Sequence, residues 1–175
     1  MSVISRIPKR TALVLGLLAP LLIALLAACA PTVALTPAAN ATDPKCAEII
    51  VRLPKAVVDQ PLRETNAQAT GAWGNPTSVL LRCGVVQPAP SASCSTVNGI
   101  DWVVDVSGSP RYVYTTWGRS PATQVVVDTK LTQGQGAIIL DALSNAVGSI
   151  AQTKACTSHD PGFVPESTPS PTPTP

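Results

Sequence analysis

The chain of 175 residues is nearly without histidine, and His159, the only one, sits in a Pro/Ser/Thr-rich stretch near the end. A nucleophile activated by imidazole therefore has no plausible partner in a folded core. G-x-S-x-G, H-E-x-x-H and P-loop patterns are missing as well. The five cysteines contain no C-x-x-C pair; with so little histidine, this spacing argues against zinc. No metal and no cofactor are expected. Gly134-Gln135-Gly136 resembles half of a phosphate-cradling loop, but Ile139 stands where a third glycine would fall, so we read it as a helix start.

An excess of charge is also lacking. The formal charge of +2 includes Arg6, Lys9 and Arg10, which lie in a segment expected to be removed. From Cys29 onward nine Lys/Arg face ten Asp/Glu. A near-neutral domain with scattered charges has no electrostatic basis for binding nucleic acid, nor for a polybasic membrane patch.

What the sequence does have begins with a basic N-terminus followed by an apolar run over 11–26 (TALVLGLLAPLLIALL), closed by Leu26-Ala27-Ala28-Cys29. This reads as a signal peptide, residues 1–28, ending in a bacterial lipoprotein box. The small residues before Cys29 admit a signal peptidase, and the thiol can accept a diacylglyceryl group. Retention of 11–30 as an uncleaved anchor, or ordinary cleavage with secretion, are the alternatives, and Pro20 weakens the first. All three place the domain outside the cytoplasm. Residues 29–44 are small, polar and Pro-containing and read as a flexible tether.

The globular domain is expected over 45–157. Asp43-Pro44 signals a helix start, an N-cap followed by proline at the first position. The short helix carries Cys46, Ile49, Ile50 and Leu53 and stops at Pro54. Residues 55–70 are polar and read as a connection. Strand-like runs follow at 78–86, 100–106, 112–117 and 123–128, rich in β-branched and aromatic residues and separated by Gly, Pro and Ser. Over 134–153 the period changes: Ile139, Leu143, Ala146 and Ile150 form the stripe of an amphipathic helix. The expected fold class is α+β: two layers, a mostly antiparallel sheet of about four or five strands, with a short N-terminal and a longer C-terminal helix on one face. Residues 158–175, repeating Pro with Ser and Thr, form a disordered tail.

Apart from Cys29, the cysteines are Cys46, Cys83, Cys94 and Cys156, an even set in an exported domain, which predicts two disulfides. Three pairings are open. We favour Cys83 with Cys94, stapling the loop between them, and Cys46 with Cys156, tying the first helix to the end of the last.

Two similar turns, Trp73-Gly74-Asn75-Pro76 and Trp117-Gly118-Arg119-Ser120-Pro121, each lead into a strand. Their first reading is structural: Trp fills core, Gly permits an unusual backbone angle and Pro directs the exit. Their functional reading is a contact for an anionic ligand or partner through Arg119, Asn75 and Trp117. Asp101 and Asp105, four residues apart on one side of a strand, stand about 13 Å apart at Cα, too far for paired-carboxylate chemistry.

Taken together, Cys46, Ala72-Trp73-Gly74-x-Pro76, Leu81-Arg82-Cys83-Gly84, Gly99-x-Asp101-Trp102, Trp117-Gly118-Arg119-x-Pro121-Ala122 and Cys156 resemble a family of small exported actinobacterial proteins known only as a domain of unknown function. Many of its members look like lipoproteins. The resemblance covers 46–156 and rests on the order of the motifs more than on any one of them. It implies a Gram-positive envelope and no known activity. The expected function is a non-enzymatic binding or accessory module, lipid-anchored at the outer face of the cell membrane, whose partner is an envelope protein or a cell-wall component. The alternative is an exported hydrolase acting on envelope material through a cryptic site.

Overall fold

A computed structural model describes residues 31–89 and 93–156. We take the unit that begins at Val33 by itself. Its elements in chain order are helix α1 (Pro44–Ile50), strands β1 (Ala56–Val57), β2 (Gln60–Arg63), β3 (Thr70–Trp73), β4 (Val79–Val85), β5 (Cys94–Val97), β6 (Ile100–Asp105), β7 (Arg111–Thr116) and β8 (Ala122–Asp128), and helix α2 (Gly136–Val147). The strands form one sheet in the order β1-β2-β3-β4-β8-β7-β6-β5, and every neighbouring pair is antiparallel.

This corrects the expected fold class. Among the described residues the domain is β-rich, with eight strands and two small helices, and not an α+β layer of four or five strands with a long C-terminal helix. The strands that periodicity missed are β1, β2, β3 and β5. They have two to four residues each, and two of them read QPLR and CSTV, too short and too polar to alternate visibly. The last helix is shorter than its apolar stripe suggested. It ends at Val147, and Ile150 reaches the core from the segment beyond it.

The sheet curls around that helix. α2 touches β1 and β5, the two edges, and also central β8. Eight strands laid flat would span about 34 Å, whereas a helix of this length runs about 18 Å. Contact with both edges therefore requires a coiled sheet. Its inner face pairs Val79 with Val127 and Leu81 with Val125 across β4 and β8, all fully buried together with Trp73 and Trp102. Ile139, Leu140, Leu143, Ala146 and Val147 of α2 close this core, and Ile49 of α1 joins them. Asp43 caps α1 as its sequence signalled, accepting a hydrogen bond from the Lys45 N–H at 2.9 Å.

Two disulfides are present, but their pairing differs from the one favoured above: Cys46 joins Cys83 and Cys94 joins Cys156, with Cα atoms 5.5 and 6.0 Å apart. The sheet order is the reason. Cys83 on β4 and Cys94 on β5 are separated by β8, β7 and β6, about 19 Å of sheet, far beyond the reach of a disulfide. Cys83 instead faces the inner side, where α1 lies.

Residues 33–43, at the start of the domain, are held on it rather than hanging as a tether. Val33 donates to the Glu64 carbonyl at 2.8 Å and Asn40 to the Gly84 carbonyl at 2.9 Å. Leu35 N–H donates to the Asn66 side chain at 2.8 Å. Among the described residues no helix is long and apolar enough to cross a membrane.

Candidate functional site

Three of the sequence motifs converge at one end of β4. The register of β4 on β8 shifts between Cys83 and Val85, and Gly84 at the shift has φ +95°. A side chain there would stand in the backbone of Asn40 and Ala41. Glycine thus lets residues 38–43 dock directly on the strand before α1 begins. The second Trp-Gly turn arrives from the other side, where Lys45 Nζ of α1 donates to the Ser120 carbonyl at 3.1 Å.

Between these segments lies a cleft of about 620 Å³. Its hydrogen-bonding side chains are Asn40, Thr42, Asp43, Gln87 and Ser120, with Val86 and Pro121 as apolar surface. Gln87 Nε2 is buried without a hydrogen-bond partner. Hydroxyls and planar amides beside small apolar patches suit a neutral polar ligand, one that exchanges hydrogen bonds and presents C–H surface. Among the described residues of the lining, Asp43 is the one carboxylate. Among the described residues no group of three His, Cys, Asp or Glu could hold a metal ion.

The residues singled out from sequence are placed elsewhere. Asn75 is exposed in the turn before Val79, whereas Ala122, next to the second turn, pairs with Val85. The two turns therefore stand at opposite ends of β4, about 20 Å apart, and Asn75 and Arg119 do not share a site. Trp117 is half-buried, and its indole N–H donates to the Ala155 carbonyl at 3.3 Å. Cys29 lies outside the described residues.

Arg119 is turned inward, with 6% of its surface exposed. Its guanidinium donates to the carbonyl of Ile150, to the Gly99 carbonyl at 3.3 Å and to Gln152 Oε1 at 3.2 Å. Gln152 Nε2 passes the connection on to Asp101 at 2.7 Å. Asp101 also accepts from the Thr96 hydroxyl at 2.6 Å and the Cys156 N–H at 2.7 Å. Burial pushes the Asp101 carboxyl up, but hydrogen bonds from Thr96, Cys156 and Gln152 and the nearby Arg119 charge together hold it below its ordinary value. Burial in turn lowers the Arg119 pKa, partly offset by Asp101.

This network fastens the segment after α2, residues 150–156, across the second turn. Thr153 N–H donates to the Gly118 carbonyl at 2.7 Å, and the Cys94 disulfide locks the end. Gly118 is required here: its φ is +69°, and a side chain would collide with the Lys154 carbonyl. The Trp-Gly-Arg motif is thus a clasp for the C-terminal segment, and its next residues, Ser120 and Pro121, form the cleft wall. Sequence reasoning missed Asn40, Thr42 and Gln87, because nothing distinguishes a polar residue in a loop until the fold surrounds it. The one usable signal was Gly84.

None of the curated proteins and none of the solved structures compared with the chain matches it. A family model does, over residues 11–156, and it is described as a protein of unknown function, DUF3515. That match takes in the apolar N-terminal run, both disulfides, the clasp and the cleft walls, and the chain belongs to the DUF3515 family.

Proposed function

We propose that the protein is a non-enzymatic binding module of the bacterial cell envelope, lipid-anchored through Cys29 at the outer face of the membrane. The cleft between residues 38–45 and the Ser120-Pro121 turn receives its partner. The observation that carries this reading is the lining of the cleft, where the side chains of Asn40, Thr42, Gln87 and Ser120 stand beside Val86 and Pro121. Hydroxyls and amides at a cleft wall exchange hydrogen bonds with the carbonyls and hydroxyls of a ligand. The lining matches amide- and hydroxyl-rich material such as a wall polymer or an extended peptide. Export is supported by the leader with its cysteine box and by two disulfides, which persist in oxidising compartments.

The test is photocrosslinking in intact cells with a photoreactive amino acid at Val86, whose side chain is exposed at the cleft rim. A reproducible adduct with a wall fragment or an envelope protein, lost in Gln87→Ala, supports the reading. No adduct, together with turnover of wall fragments by the purified protein, would replace it with the hydrolase alternative. The anchor is tested separately: a Cys29→Ala chain with unchanged processing and unchanged membrane association would refute lipidation.

A further inference from the structure

The face of the sheet opposite the core is half-covered and differs in character from the cleft. Because side chains alternate along a strand, Leu80 with Val126 and Arg82 with Gln124 project outward where Val79, Leu81, Val125 and Val127 project inward. The first residues of the domain wall this face: Val33 bridges to Thr65 in parallel, and Ala34, Leu35 and Thr36 border a groove of about 370 Å³ over Leu80 and Val126.

Two guanidinium groups line the same groove. Arg82 meets the amide oxygen of Gln124 and not a carboxylate. The Arg111 side chain is 68% exposed, with Asp128 3.8 Å away and only 15% exposed. The groove is thus an aliphatic floor with two cationic groups, the larger part of one facing solvent. The chain that reaches it is short. Cys29 and Val33 are four residues apart in sequence, a maximum span of about 14 Å.

We propose that this outer face lies against the membrane and that Arg82 and Arg111 engage the phosphates of anionic phospholipid headgroups. The proposal rests on the membrane attachment argued above. A chain anchored at Cys29, or by an uncleaved apolar run that ends beside it, carries Val33 and its groove to within about two Debye lengths of the headgroups at physiological salt. There, two guanidinium groups add an attraction that zwitterionic lipid does not supply. With this face toward the bilayer, α1 and the inner side of the sheet, joined by the Cys46–Cys83 disulfide, face away from it.

The full chain, isolated from membranes of expressing cells, is reconstituted into nanodiscs of phosphatidylcholine alone or with about a third phosphatidylglycerol. Each arginine is then labelled with phenylglyoxal and the rates are read by mass spectrometry. Labelling of Arg111 is expected to be about fivefold slower in the anionic discs, the fold-change that one basic group near such a surface supplies. Arg82 follows it, and Arg52, in the turn just after α1, is unchanged. Equal labelling of Arg111 in the two discs, or equal slowing of Arg52, would overturn the proposal. So would protection of Arg82 and Arg111 in neutral discs by inorganic phosphate to the same degree, which would assign the pair to a soluble anion. A chain that does not co-elute with discs overturns the anchor reading alone. The same labelling of that chain mixed with phosphatidylglycerol or phosphatidylcholine vesicles then tests the face independently.

Discussion

Replacing Asp101 by Asn separates charge from shape in the clasp. The carboxylate accepts from Thr96, Gln152 and Cys156 at 2.6, 2.7 and 2.7 Å. An asparagine can keep all three contacts: with its oxygen turned to Gln152 and Cys156, its amide faces the Thr96 hydroxyl, which can accept instead of donate. Only the charge is then lost. A hydrogen bond to an ionised acceptor contributes about 1.5–3 kcal/mol against about 1 for a neutral one, so three weakened bonds cost roughly 2 kcal/mol. Asp101→Ala removes the bonds as well and should cost roughly 4 kcal/mol. For a domain of this size these correspond to melting temperatures lower by about 8 and 15 °C. The assay is thermal unfolding with the disulfides intact, followed by circular dichroism across pH.

The sign of the pH effect follows from the lowered pKa of Asp101, whose ordinary value is 3.8. On acidification the unfolded chain takes up the proton first. The carboxylate's contribution is therefore complete above the ordinary value and is lost as pH falls through the lower, folded one. Wild type should lose stability over that window, while Asp101→Asn loses less, so the two converge in strong acid. Equal melting near neutrality, or a gap that stays constant down to about pH 2, would refute the claim that the charge holds the clasp.

Three further outcomes are expected. Non-reducing peptide mapping should recover Cys46 linked to Cys83 and Cys94 linked to Cys156; loop lengths of 37 and 62 residues imply losses of about 3.8 and 4.3 kcal/mol when each is removed by Cys→Ala pairs, read by denaturant unfolding. Gly118→Ala should cost about 3 kcal/mol, from the left-handed backbone and the displaced Lys154 carbonyl, and should speed proteolysis within 150–156. Leu143→Ala, at the fully buried centre of α2, should cost about 2–5 kcal/mol by calorimetry, the value depending on how far the curled sheet relaxes onto the cavity.

Much of the local structure was legible in the residues. The α1 cap at Asp43-Pro44 needs only a side-chain oxygen and a proline without N–H, both local properties. Of the four longer strands, β4 and β8 alternate because each buries one face, while β6 and β7 were legible from their β-branched and aromatic residues. The short strands carried no such pattern: β5 is an edge of four residues with polar side chains, and β1 has two residues. Their partners are near in sequence, β1 with β2 and β5 with β6 across two-residue turns, so shortness and polarity hid them and not distance along the chain. Distance along the chain hid the cleft, whose walls come from residues 40–44, 85–87 and 120–122, segments that no window along the chain contains together.

By itself the sequence determined that a basic stretch and an apolar run precede Cys29, that four further cysteines are available to pair, and that glycine and proline punctuate two tryptophan turns. These depend on composition and near neighbours. Only the tertiary structure decided which cysteines meet, because sheet order sets the distance between β4 and β5. It also decided what Arg119 does. A guanidinium in a turn has the same sequence signature whether it faces solvent or the returning C-terminal segment, and here Gly118 leaves room for that segment to close over it.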